Sequence, residues 1–100
     1  MSFCYILFSK KLDKFYSGAT NDSVELRLEK HKTNFFGNEK FTAKADDWEV
    51  FLIIPALDFP HATRIEAHIK KMKSKVYIQN LAAYEELRSK LYKNTIKENN

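Results

Sequence analysis

The start of the chain constrains its fold more than any other segment. Phe3-Cys4-Tyr5-Ile6-Leu7-Phe8 is a short apolar run rich in aromatic side chains, and Phe15-Tyr16-Ser17-Gly18 follows after a charged stretch from Ser9 to Lys14. Aromatic and β-branched residues suit a pleated, half-buried surface, and two such arms joined by a short polar turn pair with each other. The expectation is a β-hairpin. Its apolar arms need covering, so the rest of the chain has to supply elements that pack on them.

Asn21-Asp22-Ser23 offers N-cap residues, and Glu25 stands three residues after Asp22 as in a capping box. Val24, Leu28, His31 and Phe35 then recur at helical spacing, which predicts a first helix from about Ser23 to Thr33. Periodicity disappears from Asn34 to Asp47, a stretch containing Gly37 and Asn38, and Trp48 to Ile54 resumes as a β-prone run stopped by Pro55. Asp58-Phe59-Pro60 supplies a cap and a first-turn proline; Ile65, Ile69, Met72 and Val76 form an apolar stripe, so helix two spans roughly Pro60 to Lys73. Ser74 restarts or caps a further turn. Tyr77, Leu81, Tyr84, Leu87 and Leu91 then predict a C-terminal helix broken near Asn80.

The resulting order, ββαβαα, predicts an α+β fold: a small three-stranded, mostly antiparallel sheet flanked by helices. No Gly/Ser/Pro-rich stretch divides the 100 residues, so one domain over residues 1–92 and a polar tail over 93–100 are expected. With 44% apolar and 14% aromatic residues there is material for a modest core. The single cysteine, Cys4, can form no internal disulfide and is expected to pack as a small hydrophobe, which favours a cytoplasmic location. Residues Met1 to Ser9 are too short to span a bilayer and lack a basic leader, so neither an export signal nor a membrane anchor is expected.

Seventeen Lys+Arg against thirteen Asp+Glu give a net charge of +4, which favours polyanionic partners, nucleic acid first. Lys10, Lys11 and Lys14 crowd the hairpin turn, and Arg64, Lys71 and Lys75 align on one side of helix two. Either cluster alone reads as a solvated surface; together they can form a phosphate-binding stripe. Tyr5 and Tyr16 stand on the two arms with ten residues between them, so pairing of the arms can bring their phenols together. Arg27 and His31 share a helix face. Glu66 flanks the apolar stripe of helix two; on its own it suggests only a surface pair with Lys70. His61 and His68, seven apart with no cysteine at ligand spacing, argue against a zinc site. The sequence has no phosphate-cradling glycine loop and no nucleophile elbow.

Taken jointly, these residues resemble the GIY-YIG nuclease superfamily, in particular stand-alone proteins related to the N-terminal nuclease domain of the excinuclease C subunit. The resemblance covers about Ser2 to Leu81. Tyr5 matches the end of the first motif, with Phe3-Cys4 replacing Gly-Ile, and Tyr16-Ser17-Gly18 matches the second, with serine replacing isoleucine. Arg27 and His31 match the arginine and histidine of the family's first helix. Glu66, within Arg64 to Ser74, matches its metal-binding glutamate, and Asn80 matches an asparagine near the site in some members.

The resemblance implies hydrolysis of a DNA phosphodiester with one divalent cation, Mg²⁺ or else Mn²⁺, held by Glu66, in a structure-selective repair or recombination role. Arg27 would stabilise charge on the phosphate, Tyr5 or Tyr16 would orient or deprotonate the attacking water, and His31 would fix or relay the proton. Gly18 and Asn80 would support the site, while Lys10, Lys14, Arg64, Lys71 and Lys75 would bind nucleic acid. A tyrosine of ordinary pKa near 10 is a poor base at neutral pH, so the scheme needs help from a neighbour. Two alternatives remain open here: a non-cleaving nucleic-acid-binding module, and a protein-interaction domain. A homodimer or a protein partner would be needed for sequence-specific cutting, and no membrane partner is expected.

Overall fold

The computed structural model describes residues 1–32 and 45–96, with side chains described for 1–29 and 45–96. Strands β1 (Ser2–Ser9) and β2 (Lys14–Thr20) form the expected hairpin, and β3 (Glu49–Ala56) pairs with the other side of β1. All pairings are antiparallel and the sheet order is β2-β1-β3. Helix α1 (Val24–Lys32) lies between β2 and β3 in the chain; α2 (Phe59–Met72), α3 (Lys75–Ala83) and α4 (Glu85–Asn94) follow β3. The order is therefore ββαβααα. This is the expected α+β architecture with its last helix divided.

The central position of β1 explains its continuous apolar run. A strand covered on one face alternates, whereas one covered on both does not. Cys4, Tyr5, Ile6 and Leu7 are each fully buried, and they divide between two cores. Cys4 and Ile6 join Ile54, Ile65, Ile69, Ile78, Leu81 and Leu91 in an aliphatic core built with α2, α3 and α4. Tyr5 and Leu7 join Val24, Ala45 and Trp48 on the opposite face, beside Leu28 of α1. Burial pushes the Cys4 thiol up to about 12, with the Glu66 carboxylate adding to the rise. Cys4 is thus a packed hydrophobe rather than a reactive thiol.

The hairpin turn is braced from a distance. Asp47 accepts hydrogen bonds from Ser9 Oγ at 2.6 Å and from the Lys11 amide at 2.8 Å. These two donors hold the Asp47 carboxyl below its ordinary value, and they fix the residues before β3 against the turn. Asp13 adopts φ 52°, where an aspartate is better tolerated than most residues.

Three expectations need correction. Pro55 stands inside β3, opposite Phe3, instead of ending the strand. β3 is an edge strand, where a residue without an N–H need not interrupt a ladder on its outer side. The apolar stripe of helix two also stops short: Ile65 and Ile69 are buried, but Met72 and Val76 are 44% and 63% exposed. The buried face instead begins earlier, at His61 and Ala62. Finally, the C-terminal helix breaks at Tyr84 rather than Asn80. Tyr84 has extended backbone and serves as both the end of α3 and the start of α4, with 61% of its surface exposed.

Side-chain caps set the starts of α1, α2 and α3, and Ser23 accepts from the Leu26 amide at 3.2 Å. Asp58 accepts from the His61 amide at 2.8 Å, and Ser74 accepts from the Tyr77 amide at 3.1 Å. His61 is fully buried: its Nδ1 accepts from the Leu57 amide at 3.0 Å, which leaves Nε2 as the donor to the Tyr92 carbonyl at 3.1 Å. Thr95 Oγ lies 3.0 Å from the same nitrogen, and Arg64 Nε donates to the Thr95 carbonyl at 2.7 Å. Residues of α2 thus supply hydrogen-bond partners for the end of α4 and for Thr95 just after it.

Candidate active site

Strand register places the two motif tyrosines. Tyr5 pairs with Gly18 and Leu7 with Tyr16, so Tyr5 and Tyr16 are diagonal neighbours on one face of the hairpin. Gly18 is required by this arrangement. A Cβ at that position would collide with Cζ, Oη and Cε1 of Tyr5, so the Tyr5 ring lies directly over the glycine. Only the absence of a side chain on β2 lets the phenol occupy that space. Tyr16, at the sheet edge, is half-buried and meets Trp48 edge-on at 6.4 Å between ring centroids.

The other candidates gather around this pair. Arg27, half-buried on α1, makes a hydrogen bond with the Tyr5 phenol, and Tyr5 lies within electrostatic reach of both Tyr16 and Glu66. Tyr5, Tyr16, Arg27 and Glu66 thus converge from β1, β2, α1 and α2. Burial raises the Tyr5 phenol above its ordinary value. The Arg27 hydrogen bond and charge oppose that rise, while Tyr16 and Glu66 add to it. The net effect is a Tyr5 that stays protonated at neutral pH.

Glu66 forms an ion pair with Lys70 at 2.6 Å; the glutamate side chain is 20% exposed and the lysine 53%. Burial alone lowers the Lys70 ammonium, and the hydrogen bond and charge of Glu66 more than reverse this, leaving it above its ordinary value. Lys70 Nζ also sits 5.7 Å from the centre of the Tyr16 ring. Lysine 70, read from the sequence only as a surface partner, is therefore part of the cluster.

A cleft of about 340 Å³ opens beside Tyr16, between β2 and the junction of α2 with α3. Lys14, Lys70, Lys73 and Lys75 line it over a floor that includes Phe15, Ile69 and Ile78. Lys75 Nζ reaches across to Asp13, donating to its carbonyl at 2.7 Å and to its carboxylate at 3.0 Å. Of the expected nucleic-acid contacts, Lys14 and Lys75 thus share one cleft, and Lys10 lies at the neighbouring turn, exposed. Lys71 is exposed on α2 but does not line the cleft. Arg64 is turned to the end of α4 through its bond to Thr95. Lys73 was not singled out from the sequence. Its place follows from a left-handed backbone, φ 49°, at the end of α2, which local spacing does not reveal.

Asn80 lines a different groove, with Tyr84, Glu86, Leu87 and Lys90, and its carbonyl accepts from the Tyr84 amide at 2.9 Å. His31 falls in the last turn of α1, and its side chain lies outside the described residues.

Among the described residues a divalent cation would find one carboxylate at this cluster, Glu66. Among the described residues no group of three or more His, Cys, Asp or Glu could cage an ion. A half-buried carboxylate beside open cleft suits a hard cation that keeps several waters and takes further oxygens from a phosphate. The donor set fits that mode of binding.

A family model described as the GIY-YIG catalytic domain matches residues 1–81. Comparison with curated proteins and comparison with solved structures each gave no match. The matched span takes in β1 through α2 and most of α3, and so includes each of the four converging residues.

Proposed function

Because the chain belongs to the GIY-YIG nuclease superfamily, we propose that it is a metal-dependent endonuclease that hydrolyses DNA phosphodiesters at the cluster of Tyr5, Tyr16, Arg27 and Glu66. The observation that carries this reading is the convergence itself: the buried Tyr5 phenol has Arg27, Tyr16 and Glu66 as its charged and polar neighbours. Four elements contribute one residue each, and packing alone needs none of them to be ionisable. A buried titratable group with a raised pKa, such as Tyr5, close to an open cleft is a common mark of a catalytic site.

The roles follow from exposure and charge. Tyr5 is fully buried and held protonated, so it serves as the fixed partner that aims the Arg27 guanidinium. Arg27 faces the non-bridging oxygens of the scissile phosphate and stabilises the charge that grows there, an effect worth about 10²–10³ in rate for one well-placed donor. Tyr16 borders the cleft and is the phenol that meets water. It orients the attacking oxygen, which forms the new P–O bond as the bond to the leaving oxygen breaks. Glu66 would hold the cation, Mg²⁺ by preference and Mn²⁺ as a substitute. When bound, that ion supplies positive charge at the phosphate and a more acidic water. Lys14 and Lys75, with Lys10 at the turn, draw in the flanking backbone in a salt-dependent way. Selectivity for a branched or flapped DNA, and a role in repair or recombination, belong to the same proposal.

The test is metal-dependent nicking of labelled single-stranded, duplex, flap and branched DNA. The parent is compared with Tyr16→Phe, Arg27→Ala and Glu66→Gln at matched folding. Cutting by the parent, reduced about 10²-fold or more in Arg27→Ala and Glu66→Gln, is the expected result. Binding without cutting by the parent, with either Mg²⁺ or Mn²⁺, would sink the nuclease reading in favour of a binding module.

A further inference from the structure

Lys70 has two possible anions and can hold only one at a time. In the structure its ammonium is 2.6 Å from Glu66 and at the same time lines the cationic cleft with Lys14, Lys73 and Lys75. The lysine is half-exposed on a flexible four-carbon stem, whereas the glutamate is mostly covered. The ammonium can therefore swing into the cleft at little cost, while the carboxylate stays beside the tyrosine pair.

We propose that Lys70 is a placeholder: it neutralises Glu66 in the ion-free protein and, once a divalent cation takes that carboxylate, turns into the cleft to hold a phosphate of the bound strand. This rests on the nuclease reading above and assigns a positioning residue to it. Two like charges on one carboxylate repel, so the arriving cation itself drives the release. The freed ammonium then finds three other lysines within one cleft, a concentration of positive charge that a phosphate relieves. A simple surface pair would give neither behaviour. Its loss would cost a small amount of helix stability and nothing else.

The consequence is that one substitution has opposite effects on two ligands. In Lys70→Gln, affinity for Mn²⁺, read without nucleic acid from the electron paramagnetic resonance signal of the free ion, rises about two- to fivefold as the competing cation is removed. With Mn²⁺ present, affinity for a fluorescently labelled, non-cleavable oligonucleotide falls and the slope of log affinity against log salt shrinks by about one, whereas in EDTA, where Glu66 holds the lysine, the slope is that of the parent. Lys70→Arg keeps the charge and retains oligonucleotide binding, and Lys71→Gln, on the same helix but outside the cleft, leaves Mn²⁺ affinity where it was. Circular dichroism and thermal melting establish equal folding.

Unchanged or weaker Mn²⁺ binding in Lys70→Gln overturns the placeholder role, and so does a salt slope that is unchanged with Mn²⁺ present or that already shrinks in EDTA. A merely structural lysine would weaken both ligands together. Glu66→Gln separates the two layers of argument: persistence of parental Mn²⁺ affinity in that variant removes the glutamate's metal role and the placeholder with it. If Glu66→Gln abolishes Mn²⁺ binding but Lys70→Gln changes nothing, the nuclease reading stands and only the placeholder fails.

Discussion

The two faces of the sheet are built from the same three strands but to different ends. The face under α2, α3 and α4 is closed by isoleucines and leucines, with Cys4 as its smallest member. The face under α1 carries Tyr5, Tyr16 and Trp48, and it admits the half-buried Arg27 at its border. Aliphatic packing has no directional demand and tolerates no polar intruder, which suits a core that must hold the fold together. A phenol next to a guanidinium demands a fixed geometry and gives up some burial for it. The aliphatic core and the tyrosine pair thus lie on opposite faces of one sheet, and β1 serves both, with Cys4 and Ile6 turned one way and Tyr5 and Leu7 the other; Glu66 and Lys70 come to the pair from α2, on the aliphatic side.

Leu81→Ala tests that division with the largest expected effect. Leu81 is fully buried in the aliphatic core and does not line the cleft, so the truncation should cost about 2–5 kcal/mol in denaturant unfolding. Cutting per folded molecule should be unaffected. A loss of turnover comparable to that of Arg27→Ala would show that the two faces are not independent.

Gly18→Ala acts on the other face with a smaller thermodynamic cost. The added methyl collides with the Tyr5 ring, and overpacking of this kind costs about 1–3 kcal/mol. Because the ring that must move is the one bonded to Arg27, turnover should fall further than the stability change explains. Gly18→Ala with parental turnover would mean that Tyr5 does not need its position for cutting.

Alkaline pH gives the finest comparison. The Cys4 thiol is raised from 9.0 to about 12 in the folded chain, so the folded state favours the neutral form. The stability this represents is fully present below pH 9 and is lost as pH rises from 9 through about 12, because the unfolded chain releases its thiol proton first. Tyr5, raised from 10.0, adds a loss of the same sign above pH 10. Cys4→Ala should flatten the fall in melting temperature between pH 9 and 10, and Tyr5→Phe only the part above pH 10. A profile that is the same in parent and Cys4→Ala would contradict the burial-driven shift.

Much of the site was legible because its signals are local. The order and spacing of Tyr5, Tyr16, Arg27 and Glu66 can be read along the chain, and the hairpin between the tyrosines follows from two β-prone arms and a charged turn. The caps at Asp58 and Ser74 were equally readable, since each depends on a residue only three positions away. What failed involved contacts across long separations. Pro55 looked like a stop because nothing in its neighbourhood says that β3 lies at the sheet edge.

The four converging residues were named by resemblance; by itself the sequence determined the hairpin, the starts of the first three helices and the apolar run of β1. These follow from periodicity, caps and residue type, which act over a few positions. Only the tertiary structure decided that the Tyr5 ring occupies the space Gly18 leaves free, that Tyr5 is enclosed while Tyr16 borders the cleft, and that Lys70 and Lys73 belong beside Tyr16. Those outcomes depend on strand register and on where α2 rests against β2, and register couples residues that the chain holds far apart.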